Sequence, residues 1–297
     1  GSRLRPSSLL SPLPFMKTQQ RLLLVLALVH QYDAIRVKNG EVAKPWAEMS
    51  KLEQYLEAAW WANATYDQTD AHEHAIFGDR YSSQNYTECV FGMRGTSDFQ
   101  DWTYNLNIRT TDWDVWTVHK GFADKTLRLL RSKPDLFMSL KEKCSLLILV
   151  GHSLGGAMAS LYAAVADEWG LKGADYLYTF AAPAVSTSPL HRVYDCFPGA
   201  RFYIADDVGH YDVVPAVASW VGFVHPFIET LRLSTAPQFG EDKYLWIPQR
   251  SCFDSAREPK LYATTAFTTR LMGMRNRPLP FHQMTTYIDR LNKVVNK

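Results

Sequence analysis

The chain has 297 residues and no apolar run near the roughly 20 residues that a membrane-crossing helix needs. Its most promising run, Leu22–Val29, stops well short. Charge of one sign is also scarce. The 32 Lys and Arg are nearly matched by 30 Asp and Glu, leaving +2, too little for the basic footprint that nucleic acid demands. There are four cysteines, and their spacing fits no zinc pattern. No metal or cofactor is expected. Cys89 and Cys144 fall in or beside expected core strands and read as free thiols; Cys196 and Cys252 fall in expected loops and are the better disulfide candidates. Internal repeats are missing too, which excludes solenoids and propellers.

What is present is ample core material, with a hydrophobic fraction of 46%. It is organised around one stretch, Leu146-Leu147-Ile148-Leu149-Val150-Gly151-His152-Ser153-Leu154-Gly155-Gly156. Before Gly151 the run is wholly apolar, as a strand buried on both faces should be. After Gly156 the residues Met158, Leu161, Tyr162 and Val165 recur near helical spacing, so Ala157–Trp169 reads as an amphipathic helix. A serine flanked by glycines on a strand-to-helix turn is a nucleophile elbow, because the tight turn leaves no room for side chains on either flank. G-x-S-x-G arises by chance in roughly one chain of this length in ten. The strand before it and the helix after it are what raise Ser153 above chance.

A serine hydroxyl is a weak nucleophile and needs a base, itself held by a carboxylate. On this kind of turn the order along the chain is Ser, then Asp or Glu, then His. Asp206, Asp207 and Asp212 all follow the expected strand Arg201–Ile204. Asp212, in Asp212-Val213-Val214-Pro215, is preferred because the proline ends regular structure and holds the loop; Asp207 is the reserve. Two histidines follow. His225 lies inside an expected strand and reads as structural, whereas His282 opens the last expected helix and is the better base. His210 and His152 are poorer candidates. Oxyanion donors are expected from the N–H of Leu154 and from Thr96, just past the strand Glu88–Met93.

Further elements complete the pattern. A helix over Glu48–Tyr66 has Leu52, Tyr55, Leu56, Ala59 and Trp60 along one side. Val118–Leu130 becomes helical, Tyr176–Phe180 is a strand, and Phe223–Leu233 with Lys243–Ile247 suggests an antiparallel hairpin. His282–Val295 is a terminal helix, and Asn39-Gly40 marks a possible hairpin in Ile35–Val42. Strands alternating with helices give the α/β class, a mostly parallel central sheet with helices on both faces.

Taken together and in order, Arg94-Gly95-Thr96, Val118-His119-Lys120-Gly121-Phe122, Gly151-His152-Ser153-Leu154-Gly155-Gly156, Thr179-Phe180-Ala181-Ala182-Pro183, Asp212-Val213-Val214-Pro215, Gly222-Phe223-Val224-His225 and the final His282 resemble the class 3 lipases, the fungal-lipase-like branch of the α/β hydrolases. The resemblance runs from about Leu52 to Leu291. It implies the α/β-hydrolase fold, Ser153 as nucleophile, Asp212 as acid, His282 as base, and Thr96 with Leu154 at the oxyanion. It also implies a lid over Ser97–Thr111, whose Phe99, Trp102 and Tyr104 face lipid when open. The activity implied is carboxylic-ester hydrolysis on lipid esters such as acylglycerols at a lipid–water interface, through an acyl-enzyme. A phospholipase A1-like or short-chain esterase on the same residues is the alternative. A catalytically silent lipid-binding protein is a further one. The family usually has Gly and Arg where this chain has Ala181 and Ala184, which leaves substrate preference open.

Residues 1–47 are expected to be an extension and 48–297 the hydrolase domain. Within the extension, Arg3–Phe15 is linker-like. Lys17, Arg21 and Leu22–Val29 have the layout of a secretory leader or of a helical segment. The sequons Asn63-Ala64-Thr65 and Asn85-Tyr86-Thr87 suit secretion, with a cytoplasmic location as the alternative.

Overall fold

The computed structural model describes residues 44–67, 75–95, 109–191, 196–206, 211–237, 240–248 and 280–295. Its elements in chain order are α1 (Lys51–Asp67), β1 (Ala75–Ser83), β2 (Tyr86–Met93), β3 (Thr110–Trp113), β4 (Trp116–His119), α2 (Lys120–Ser132), α3 (Pro134–Lys143), β5 (Leu146–His152), α4 (Leu154–Val165), β6 (Tyr176–Phe180), β7 (Phe197–Ile204), α5 (Val214–Val217), β8 (Ile228–Ala236), β9 (Gly240–Pro248) and α6 (Met284–Asn292).

One seven-stranded sheet has the order β1-β2-β5-β6-β7-β8-β9; β3 and β4 form a separate hairpin. The strands from β2 to β8 run parallel, and β1 and β9 close the two edges antiparallel. This is the expected α/β-hydrolase arrangement. The period of two along each strand sorts side chains between two cores. Cys89, Phe91, Met93, Leu147, Leu149 and Leu177 join one apolar cluster with residues of α2, α3 and α4. Val90, Ile148, Val150, Tyr178 and Phe180 join the other, with residues of α1 and α6.

The sheet order explains why α1 and α6 matter. Parallel strands that follow one another in one direction, joined by right-handed crossovers, put every crossover on the same face. The opposite face can then be covered only by segments outside the parallel run. Here α1 comes before it and α6 after it, and the two pack together. Trp46, just ahead of α1, is fully buried in the same cluster.

Three expectations need correcting. The buried stripe of α1 is Tyr55, Ala58, Ala59, Trp61, Ala62 and Thr65, and Trp60 is 52% exposed. The helical period carries the stripe past Trp60, and apolarity alone could not say so. Second, α4 is not amphipathic: every residue from Leu154 to Val165 is buried. It sits between the sheet and α2, so both sides face protein. Third, Cys89 and Cys144 are not free thiols but a disulfide, with Cα atoms 5.7 Å apart. Cys144 caps α3, whose chain turns at once into β5 beside β2, and that brings it over Cys89. Burial had suggested thiols, but burial does not exclude a disulfide. Cys196 is also disulfide-bonded. The hairpin expected within Ile35–Val42 lies outside the described residues.

The Cys89–Cys144 link closes a loop 55 residues apart in sequence. Replacing both cysteines by alanine should cost about 2–4 kcal/mol of unfolding free energy in a urea titration.

Candidate active site

The elbow begins with backbone geometry. Ser153 has φ 56° and ψ −128°, a left-handed conformation that a non-glycine residue adopts at a cost. Its N–H donates to the Phe180 carbonyl at 2.9 Å, so β6 helps to hold it there. A side chain at Gly155 would lie 1.9 Å from the carbonyl oxygen of Met93, so only glycine lets α4 approach the end of β2. Ser153 thus stands at the carboxyl end of β5, where ligands bind in open parallel sheets.

Two more side chains reach it from distant elements. His282, in the single turn Pro280–His282 ahead of α6, puts Nε2 2.9 Å from Ser153 Oγ. Its Nδ1 lies 3.1 and 3.0 Å from the two carboxylate oxygens of Asp212. Asp212 follows β7, and its N–H donates to the Ile204 carbonyl. Carboxylate oxygens accept, so Nδ1 carries the proton and the Nε2 lone pair faces the serine hydroxyl. Asp212 accepts two further hydrogen bonds, from the Val214 N–H at 3.0 Å and the Tyr287 hydroxyl at 2.8 Å. Pro215, expected to halt regular structure, lies instead in the first turn of α5, where its missing N–H costs nothing. All three side chains are buried, at 1% (Ser153), 5% (Asp212) and 7% (His282) residual exposure.

A second chain of hydrogen bonds lies behind the first. His152 Nε2 is 2.6 Å from the backbone oxygen of His282, and Nδ1 is 2.6 Å from the Tyr66 hydroxyl. A carbonyl only accepts, so Nε2 donates and Nδ1 accepts the hydrogen bond of the Tyr66 hydroxyl. Burial, and then the neighbouring His282, hold the His152 pKa well below its usual value. Burial raises the Tyr66 phenol, and burial followed by Asp212 raises that of Tyr287, so both remain donors. Neither tyrosine stood out in the sequence. Tyr66 sits on α1, whose packing against β5 only the fold reveals, and Tyr287 is one of many aromatic residues in the chain.

The other candidates are placed as follows. Leu154 is the first residue of α4, so its N–H belongs to the first turn, which has no helical acceptor. Thr96, Asp207, His210 and residues 97–108 of the expected lid lie outside the described residues. Asp206 accepts from Arg290 at 3.2 Å, away from the imidazole. His225 is fully buried, and its Nε2 donates to the Pro215 carbonyl at 3.0 Å, a structural bond. Ala181, standing where the resembling family has glycine, has φ 54°, the region that glycine enters without strain. Among the described residues, no cluster of His, Cys, Asp and Glu could hold a metal ion.

Residues 90–221 match the family model of lipase (class 3). Solved structures with a similar chain course include three lipases. The lipase of Rhizopus microsporus var. chinensis is 18% identical, with 83% of this chain and 88% of that one covered and a TM-score of 0.47. The Rhizomucor miehei lipase in its propeptide complex is 20% identical, with 72% and 78% covered and a TM-score of 0.45. Nonglycosylated LIP2 lipase of Yarrowia lipolytica is 16% identical, with 61% and 78% covered and a TM-score of 0.43. No curated protein matches the chain.

Two buried histidines set a pH dependence of stability. His119, whose ring nitrogens have no hydrogen-bond partner among the described residues, is lowered by burial, as His152 is. Unfolded, each titrates near 6.5. The unfolded chain therefore binds more protons than the fold as pH drops. Their contribution is complete above that value and is lost as pH falls through it, by at most about 1.4 kcal/mol per pH unit for each. Urea unfolding between about pH 7.5 and pH 5 should show this decline. His119→Phe, which breaks no hydrogen bond, should flatten it.

Proposed function

We propose that this chain, whose residues 90–221 match the family model of lipase (class 3), is a serine carboxylic-ester hydrolase acting on lipid esters, with Ser153, His282 and Asp212 as its catalytic triad. The observation that carries the reading is the unbroken path from Ser153 Oγ through both ring nitrogens of His282 to Asp212. No two of these residues are close in sequence, and the path uses them in their reactive orientation.

In the proposed reaction the ester carbonyl lies over Ser153. As Oγ attacks, its proton passes to His282 Nε2, which already accepts the hydroxyl's hydrogen bond. Asp212 keeps the imidazole in the tautomer that can accept there, and stabilises the imidazolium that forms. The donors from Val214 and Tyr287 hold the carboxylate in line with Nδ1, so little reorganisation accompanies the proton transfer. The His152 ring fixes the height of the base, because it anchors the His282 backbone to the strand that ends in the nucleophile. Negative charge developing on the carbonyl oxygen falls to the N–H of Leu154, assisted by the positive end of α4. Thr96 is the second proposed donor. His282 then protonates the departing alcohol, leaving an acyl group on Ser153. Water activated by the same imidazole releases the acid.

A fluorophosphonate probe should label the parent protein and leave Ser153→Ala unlabelled. Ser153→Ala and His282→Ala should each lose about 10⁴-fold or more in kcat, and the double variant should lose little beyond either single one, because the residues act as a unit. Across a series of p-nitrophenyl esters, octanoate and longer chains should be preferred. A preference for acetate would favour a short-chain esterase, and preference for a phospholipid over an acylglycerol a phospholipase A1-like enzyme. Absence of labelling would sink the enzymatic reading.

A further inference from the structure

We propose that Asn85 carries an N-linked oligosaccharide, and that Asn63, the other sequon, does not. The two tripeptides have the same pattern, but the fold treats them in opposite ways.

Glycosylation requires one enzyme to engage the Asn side-chain amide and the hydroxyl two residues later at the same time. On a helix, residues two apart face away from each other. Asn85 occupies the two-residue turn between β1 and β2, where Ser83 pairs with Tyr86 and Ser82 with Thr87. Gln84, Asn85 and Tyr86 are all exposed, and Thr87 is half-buried. The Asn85 amide has no hydrogen bond among the described residues, and the Thr87 hydroxyl has an exposed one, 3.3 Å to the Ser82 hydroxyl. Asn63 instead lies inside the 17-residue helix α1. Thr65 points inward at 1% exposure, and its hydroxyl donates to the Ala62 carbonyl at 2.8 Å.

Two other features fit a glycan at Asn85. The neighbouring Cys89 is disulfide-bonded to Cys144, as in an oxidising compartment where oligosaccharide transfer takes place. The turn also lies at the opposite end of the strands from the reactive serine. β2 runs parallel to β5, with Glu88 beside Leu146 and Met93 beside Gly151. From Asn85 to Met93 the chain covers roughly 26 Å at about 3.3 Å per residue. A bulky sugar there leaves the crevice beside Ser153 open. It also shields the tip of β1, the edge strand, whose outer ladder has no partner strand among the described residues.

In the transfer, the Asn85 amide nitrogen bonds to the anomeric carbon of a lipid-diphosphate-linked oligosaccharide. The bond from that carbon to the diphosphate oxygen breaks, and the amide gives up one proton as the lipid diphosphate leaves. No oxidant or reductant is involved.

The test is peptide mass spectrometry of the full-length protein isolated from the cells that make it, with and without amidase-type deglycosylation in heavy-oxygen water. The expected result is a heavy aspartate at position 85, an unchanged Asn63 peptide, and Cys89 linked to Cys144. Expressed in the same cells, Asn85→Gln and Thr87→Ala should run at the deglycosylated size. Thr87→Ser should keep the glycan, and Asn63→Gln should leave the size unchanged. Ester-hydrolysis rates of Asn85→Gln should stay within twofold of the parent. An unmodified Asn85, alkylatable thiols at Cys89 and Cys144, or a glycan on Asn63 would each overturn the proposal. The mass and gel-size arms decide the proposal independently of whether the protein hydrolyses esters.

Discussion

The rest of the structure depends on the approach of helix α4 to the end of β2, where an added side chain at Gly155 would meet the Met93 carbonyl at 1.9 Å. A second tight contact repeats the constraint from the other side, since a side chain at Gly151 would lie 2.5 Å from Gly155 backbone atoms. With β5 and α4 held this close, the single residue able to turn between them is forced to a positive φ, and that residue is Ser153. The strain places the hydroxyl at the carboxyl edge of the sheet, with the N-terminus of a fully buried helix behind it. Packing over the length of α4 supplies the stability that keeps one unfavourable backbone conformation in place.

The partners of Ser153 come from the two ends of the chain because of how the sheet is wound. The crossovers occupy one face, so the other must be closed by α1 and α6. Closing it brings Tyr66 from one end and His282 with Tyr287 from the other to the same strand terminus. The packing that closes this core therefore also brings the candidate site together. The Arg290–Asp206 ion pair, nearly devoid of solvent, ties α6 to the exit of β7, the same stretch that leads to Asp212.

Much of this was legible beforehand, for reasons specific to the residues. β5 and β6 were readable because a strand buried on both faces is apolar throughout, and Ser153 because glycines surround it at a strand-to-helix change. Asp212 and His282 followed from chain order and from what lies beside them. The strand β1 was missed because it is an edge strand interrupted by Asp79 and Arg80, and Arg80 is buried only through its ion pairs with Glu57 and Glu88. α3 was missed because its ten residues mix exposed lysines with a few apolar positions. The disulfide was assigned to the wrong class because proximity between a strand and the end of a helix is not written in local sequence.

By itself, the sequence determined which residue types were available and in what order: a serine in an elbow, an aspartate after a later strand, and a histidine ahead of the last helix. Those are local properties, set by backbone sterics and by the period of apolar residues. Only the tertiary structure decided that Nε2 of His282 faces Ser153 at 2.9 Å, that Tyr287 and Val214 share Asp212, and that His152 ties the elbow to the His282 backbone through one ring nitrogen and to Tyr66 of α1 through the other. Distances between residues 129 and 70 positions apart are set by how two cores close over one sheet, and no local pattern records that closure.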